Sequence, residues 1–266
     1  MIGAIAGDII GSIYEHHPIK TKQFPLFGQG CRFTDDTVLT VAVAETLLNG
    51  GGYLTQFRNY FLRYPGAGYG GMFRHWAHST NPMPYNSFGN GSAMRVSPVA
   101  FAFGNIEGVR AEARRSAEVT HNHPEGIKGA EATAVAVFLA RRRESKNQIR
   151  SYIQSEFGYD LSKTPDEIRP NYVFDVTCQG TVPPALCCFL HSEDLEDAIR
   201  NAVSLGGDSD TLACIAGGVA GAYYGVPPHI KDEVEARLDN ELKRVTTEFT
   251  NRFGHPRTAG GSLDAT

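Results

Sequence analysis

Two short segments of this 266-residue chain carry carboxylates at a spacing that suits oxygen-ligand chemistry. Thr34-Asp35-Asp36-Thr37 heads one apolar run, and Asp208-Ser209-Asp210-Thr211, after Gly206-Gly207, heads another. Each sets two carboxylates and a threonine hydroxyl at the start of a predicted helix. Capping accounts for such residues, since Asp and Thr side chains accept the free N–H groups there and acidic groups suit the positive end of the dipole. A cap uses one side chain, however, whereas each segment supplies three oxygen ligands. An all-oxygen set suits Mg2+, Mn2+ or Ca2+ rather than zinc. If the two helix starts meet, four carboxylates repel unless cations neutralise them, and two divalent ions balance the charge. Spacing alone leaves capping and metal ligation both open.

A second feature has the opposite sign. From Thr46 to Ile106 there is no Asp or Glu, while Arg58, Arg63, Arg74 and Arg95 fall within the span, with His75 and His78. Such a stretch is either ordinary basic surface or a surface that receives an anion such as a pyrophosphate. It contains two glycine-rich turns, Gly66-Ala-Gly-Tyr-Gly-Gly71 and Gly89-Asn-Gly-Ser-Ala-Met-Arg95. The first matches G-x-G-x-x-G in letters only, because no βαβ unit surrounds it. The second flanks Asn90 with glycines and can aim backbone amides at a ligand. His121-Asn-His123 precedes Pro124 in a loop and lacks further N or S ligands for zinc, so His121 reads as a ligand-contacting or structural residue. Glu15 reads, on residue type alone, as a surface glutamate.

The elements that must position these residues are helices. Thr37–Leu48 is apolar and closed by Asn49-Gly50-Gly51-Gly52. Gly126–Arg143 ends in three arginines, which suit a helix C-terminus. Leu195, Ala198, Ile199, Ala202 and Val203 form one buried stripe. Leu212–Tyr224 is apolar nearly all round and rich in Gly and Ala, as expected of a central helix closely approached by its neighbours. Ile230, Val234, Leu238, Leu242, Val245, Phe249 and Phe253 read as one stripe over about six turns. Residues 155–185 are less regular and read as a long loop. Strand-type alternation is nearly absent, so the expected class is all-α, as one domain over 1–253 with a mobile, polar tail at 254–266.

Composition excludes other classes. The chain has 25 Lys+Arg against 29 Asp+Glu, a net charge of −4, which argues against general nucleic-acid binding. Its 5 cysteines are odd in number and show no C-x-x-C spacing, as expected of free thiols in a reducing compartment. Asp8 and Glu15 interrupt the apolar start, which makes a poor signal peptide, and no apolar run is long enough to span a membrane. A cytoplasmic location and a monomer are expected.

Taken together, AGDIIGSIYE (6–15), FTDDT (33–37), FGNGSAMR (88–95), TH (120–121) and SLGGDSDTLACIAGGVAGAYYG (204–225) resemble the ADP-ribosylglycohydrolase family. The resemblance implies an all-α orthogonal bundle of about a dozen helices around a dinuclear Mg2+ centre, with Mn2+ possible. Thr34, Asp35, Asp36, Asp208, Asp210 and Thr211 match the metal-holding positions. Gly70, Ser87, Gly89, Asn90, Gly91 and His121 match positions that contact ribose and diphosphate, and Phe88 matches an aromatic that stacks on adenine. ADP-ribose and its conjugates with proteins are the implied partners.

The family divides over its catalytic carboxylate. The branch acting on serine and related oxygen-linked sites uses a glutamate on a mobile flap, which Glu15 matches. The arginine-directed branch uses an aspartate before the GNG turn, a region that here has no acidic residue. The implied reaction is cleavage of the C1″ glycosidic bond, with Glu15 moving protons or positioning the leaving group. Asp8 is expected to support the metal site or cap a helix. The rival readings are an arginine-directed hydrolase, a dinuclear phosphoesterase and a non-catalytic reader of ADP-ribose.

Overall fold

The computed structural model describes residues 1–254 and is all-α, with fifteen helical segments among them. The tail at 254–266 lies, from residue 255 onward, outside the described residues. The central pair is α1 (Ile2–Gly11) against α13 (Ser209–Tyr224). Gly3, Gly7 and Gly11 recur every four residues and so share one face of α1. A Cβ on Gly3 would collide with the Gly217 carbonyl, one on Gly7 with the Ala213 carbonyl, and one on Gly11 with the backbone of Asp210. The two helices therefore run antiparallel at backbone contact, bringing the end of α1 that carries Asp8 alongside the start of α13 that carries Asp210.

The start of α2 (Asp35–Asn49) is fixed to the same place from α1. Asp8 is wholly buried and accepts the Thr34 N–H at 2.9 Å, the Thr37 N–H at 3.0 Å and the Thr34 hydroxyl at 2.6 Å, and also the Thr37 hydroxyl. These N–H groups belong to the Ncap residue and the first turn of α2, where no intrahelical acceptor exists. A residue 26 positions upstream of Thr34 thus caps this helix.

Around this centre pack α8 (Pro124–Arg141), α11 (Cys178–Leu190) and α12 (Leu195–Leu205). The α12 stripe from Leu195 to Val203 is buried as its spacing predicts. Two expectations are corrected. The segment expected as a long loop over 155–185 holds the end of α9 (Lys146–Phe157), the short α10 (Pro165–Ile168) and the first half of α11. Pro183 and Pro184 disguise α11 in sequence, because a proline supplies no N–H to the helix ladder. The Gly180 carbonyl that Pro184 leaves without its helical donor accepts instead the Tyr172 hydroxyl at 2.9 Å.

The stripe from Ile230 to Phe253 is two helices, α14 (Pro228–Arg237) and α15 (Asn240–Phe253). Leu238 is extended at ψ 142°, and the Asp239 carboxylate caps α15 by accepting the N–H groups of Glu241 at 3.0 Å and Leu242 at 2.9 Å. The apolar face carries on across the break, so periodicity survives where the helix does not. No helix among the described residues is long and apolar enough to cross a membrane.

Candidate active site

The two acidic helix starts meet. They line a cavity of about 600 Å³ together with Glu15 and the two glycine turns. Carboxylate oxygens of Asp8, Asp36 and Asp210 lie within 4.8 Å of one another, and so do those of Glu15, Asp208 and Asp210. Asp35 lines the same cavity. Its carboxylate faces Gly68, whose φ of +109° and lack of a side chain let the first glycine turn close over it. The turn is tied to α2 by the Asp35 N–H, which donates to the Ala67 carbonyl at 2.8 Å. Thr211 donates to Asp36 Oδ2 at 3.4 Å.

These carboxylates are destabilised as anions. Burial pushes Asp36 and Asp210 well above the ordinary carboxylate range, and their acidic neighbours push further: Asp8 and Asp35 on Asp36, Asp208 and Asp36 on Asp210. Asp35 shifts in the same direction, from burial and from Asp8 and Asp208. No ion pair joins these groups to a lysine or arginine among the described residues. Asp36 Oδ1 is buried with no hydrogen-bond partner among the described residues. An orphaned carboxylate oxygen among crowded acids fits divalent cations, and an all-oxygen donor set fits a hard ion. Thr34 is less free to serve as a ligand, because its hydroxyl donates to Asp8 and accepts the Asp36 N–H at 3.3 Å. Asp8 is the addition: sequence assigned it only a supporting or capping role, and it both caps α2 and belongs to the acidic cluster.

Glu15 sits where α1 gives way to the loop that leads to α2. Burial and then the Asp208 carboxylate raise its pKa above the ordinary glutamate value, while His16, 3.7 Å away, opposes the shift. The loop is held down by Lys20, whose ammonium donates to the carbonyls of Arg169 at 2.9 Å and Tyr172 at 2.7 Å, and to that of Leu205. Leu205 ends α12 just before Gly206-Gly207-Asp208, so Lys20 fastens the Glu15 loop to the segment that carries Asp208.

The second glycine turn forms another wall. Ser87, Gly89, Asn90, Gly91, His121 and Gly70 all line the cavity. Asn90 is partly committed, since its amide donates to Asp208 Oδ2 at 2.6 Å and to Thr181 Oγ1 at 3.0 Å, bracing the turn against the acidic wall. Phe88 does not line the cavity; its ring is 45% exposed and packs near His123. His121 is buried, and burial followed by the Arg95 charge holds it neutral, well below the usual histidine range.

The expected anion surface on the carboxylate-free span narrows sharply. Arg58 is spent on the carbonyls of Ala77 and Ser79, Arg63 pairs with Glu241, and Arg74 is exposed and does not line the cavity. Arg95 alone of the four lines it.

A family model described as ADP-ribosylglycohydrolase matches residues 1–258. The chain belongs to the ADP-ribosylglycohydrolase family. It is 27% identical to the human ADP-ribosylhydrolase ARH3 over 306 aligned positions, covering 85% of this chain and 84% of that protein. It is 26% identical to the ADP-ribosylarginine hydrolase Tri1 of Pseudomonas putida (strain GB-1), over 95% of this chain and 77% of that one. Among solved structures, one titled "ADP-ribosylglycohydrolase-related protein complex" superposes with a TM-score of 0.69 at 26% identity, covering 94% of this chain and 96% of its own. Membership of this family makes the chain a glycosidase-type hydrolase with ADP-ribose conjugates as its substrate class.

Proposed function

We propose that the chain hydrolyses the C1″ glycosidic bond of ADP-ribose attached through oxygen, as to serine, on a protein or related conjugate. The observation that carries this reading is the position of Glu15, whose carboxylate lies within 4.8 Å of the carboxylates of Asp208 and Asp210 in one cavity. An oxygen leaving group needs a proton as the C1″–O bond breaks, and the attacking water must lose one. A partly buried glutamate with a raised pKa suits both duties near neutral pH. Water adds to C1″, the proton passes by way of Glu15 to the acceptor oxygen, and the products are free ADP-ribose and the acceptor hydroxyl.

Asp35, Asp36, Asp208 and Asp210, with Thr34 and Thr211, would hold two Mg2+ ions, or Mn2+, which when bound supply positive charge to ribose oxygens and to water. The chain's own residues do the rest. Ser87, Gly89, Asn90, Gly91, Gly70 and His121 receive the ribose and diphosphate, and the exposed Phe88 ring offers a face to adenine. Lys20 keeps the Glu15 loop seated, which excludes bulk water from the reacting bond. A cytoplasmic location and a monomeric state complete the proposal.

The likeness to the Pseudomonas arginine hydrolase supports a second reading, arginine-linked ADP-ribose as substrate. Against it stands the absence of any carboxylate between Thr46 and Ile106. Release of ADP-ribose from serine-linked, arginine-linked and nucleobase-linked substrates, with and without Mg2+, separates the readings. Serine-linked release that requires Mg2+ is expected. Preferential release from arginine favours the second reading, and binding without release from any substrate contradicts both.

A further inference from the structure

Arg95 is fully buried, yet it makes no ion pair with a carboxylate among the described residues. Its guanidinium lies 4.3 Å over the Phe57 ring, and Nη2 donates to the Ser116 carbonyl at 2.8 Å and to Thr120 Oγ1 at 2.9 Å. Nε and Nη1 have no hydrogen-bond partner among the described residues. A buried cation costs several kcal/mol unless its surroundings use it. What it touches, through one hydroxyl, is the imidazole of His121: Thr120 Oγ1 lies 2.7 Å from His121 Nδ1.

The direction of that hydrogen bond follows by elimination. Thr120 Oγ1 already accepts from Arg95, so its proton needs an acceptor. The other candidate is the Ala117 carbonyl, 3.5 Å away. That oxygen already accepts the Thr120 N–H at 3.1 Å and the His121 N–H at 2.7 Å, which fills its two lone pairs. The Thr120 proton therefore goes to Nδ1. Were Nδ1 itself protonated, it would donate to Oγ1 and leave the buried hydroxyl proton only the long 3.5 Å contact to the already doubly engaged Ala117 carbonyl, a poorer arrangement for a buried donor.

We infer that Arg95 and Thr120 are positioning residues that fix the tautomer of His121, so that the neutral ring carries its proton on Nε2 and presents it as a donor to a ligand oxygen on the Gly89–Gly91 turn. Nε2 faces that turn, since a Cβ on Gly91 would lie 3.1 Å from it and one on Gly89 3.6 Å. Arg95 itself is fully buried where it borders the cavity, and its charge there also disfavours a second proton on the imidazole. His121 thus works as a fixed donor toward phosphate or ribose oxygen rather than as an acid or base. The ligand's identity rests on the ADP-ribose reading above, whereas the tautomer does not.

The test combines long-range 1H–15N spectra of the His121 ring with calorimetric titration of ADP-ribose, on the full chain in Mg2+. In the wild type, Nε2 is expected to be protonated and Nδ1 bare. Thr120→Val removes the donor to Nδ1 and is expected to populate the Nδ1–H form and weaken ADP-ribose binding about tenfold, the loss of one buried hydrogen bond. Thr120→Ser is expected to restore the Nε2–H form. A proton on Nδ1 in the wild type overturns the inference, as does a Thr120→Val protein that keeps both the Nε2–H form and wild-type affinity. If Thr120→Val does not fold, the wild-type and Thr120→Ser spectra decide alone. A wild type that shows Nε2–H but binds no ADP-ribose upholds the tautomer and overturns the functional reading.

Discussion

The two walls of the cavity solve the problem of buried charge in opposite ways. The acidic wall gathers aspartates from α1, α2 and α13 with no ion-paired lysine or arginine among the described residues, an arrangement that suits ions from outside. The glycine-turn wall keeps its charge inside the protein, as one buried Arg95 stacked on Phe57 and linked through Thr120 to a neutral His121. On the function proposed above, one wall binds cations and the other presents donors to the oxygens of an anion. A dinucleotide-like ligand with a sugar at one end and a diphosphate behind it suits a cavity with that division.

The sharpest way to break the comparison is to remove the centre of the acidic wall. Asp210→Ala is expected to lose Mg2+ binding and to lower turnover by at least about a hundredfold, since losing even residues that merely support a metal ligand costs 10–100-fold. Mg2+ calorimetry with a release assay checks it, and full activity after chelation contradicts the role given to this wall.

The acidic wall also predicts how stability responds to pH. Asp36 and Asp210 have folded-state pKa values raised by burial and by neighbouring carboxylates. The protonated form is the one the metal-free fold tolerates, so their contribution is fully present below about pH 4, the unfolded carboxylate range, and is lost as pH rises through their folded values. Divalent ions bind the deprotonated form and remove the penalty. The rise in Tm on adding Mg2+ is therefore expected to be several degrees at pH 8 and near zero at pH 4.5. Equal shifts at both pH values contradict it.

Lys20 bridges the two halves of the account by holding the Glu15 loop to the Asp208 segment. Lys20→Met is expected to lower kcat/KM about tenfold while Mg2+ affinity stays within about twofold, because it frees the loop that seats Glu15 and touches no aspartate of the cluster. Weakened Mg2+ binding sinks this distinction. The smallest effect belongs to Arg63, which lies in the carboxylate-free span but pairs with Glu241 away from the cavity. Arg63→Ala is expected to leave ADP-ribose affinity within about twofold, since an exposed pair of this kind contributes about 0–1 kcal/mol, and to stability rather than to binding.

The two walls differed equally in how far they could be read from sequence. The acidic wall was legible because its residues are local: two carboxylates and a threonine heading a helix form a short pattern, and the Gly- and Ala-rich run Leu212–Tyr224 reads as a helix its neighbours approach closely. Missing from that reading was Asp8 as a member of the cluster, since its partnership with Thr34 and Thr37 is made only by tertiary contact. The other wall hid its working parts. Four arginines looked alike in the carboxylate-free span, and only burial separates Arg95 from Arg58 and Arg63. Helix α11 was concealed by Pro183-Pro184, whose cost is offset by a hydroxyl from distant Tyr172. The break at Leu238-Asp239 was invisible to periodicity because the apolar face runs on across it.

The central claim is that the acidic wall binds and orients while Glu15 handles the proton. Single-turnover release of ADP-ribose from a serine-linked peptide by Glu15→Gln, alongside calorimetric binding of ADP-ribose in Mg2+, tests it most directly. Release is expected to fall by about 10²–10⁴-fold, the usual contribution of a positioned acid–base group, with ADP-ribose affinity within about threefold of wild type. Release at the wild-type rate contradicts the claim and removes Glu15 from the chemistry.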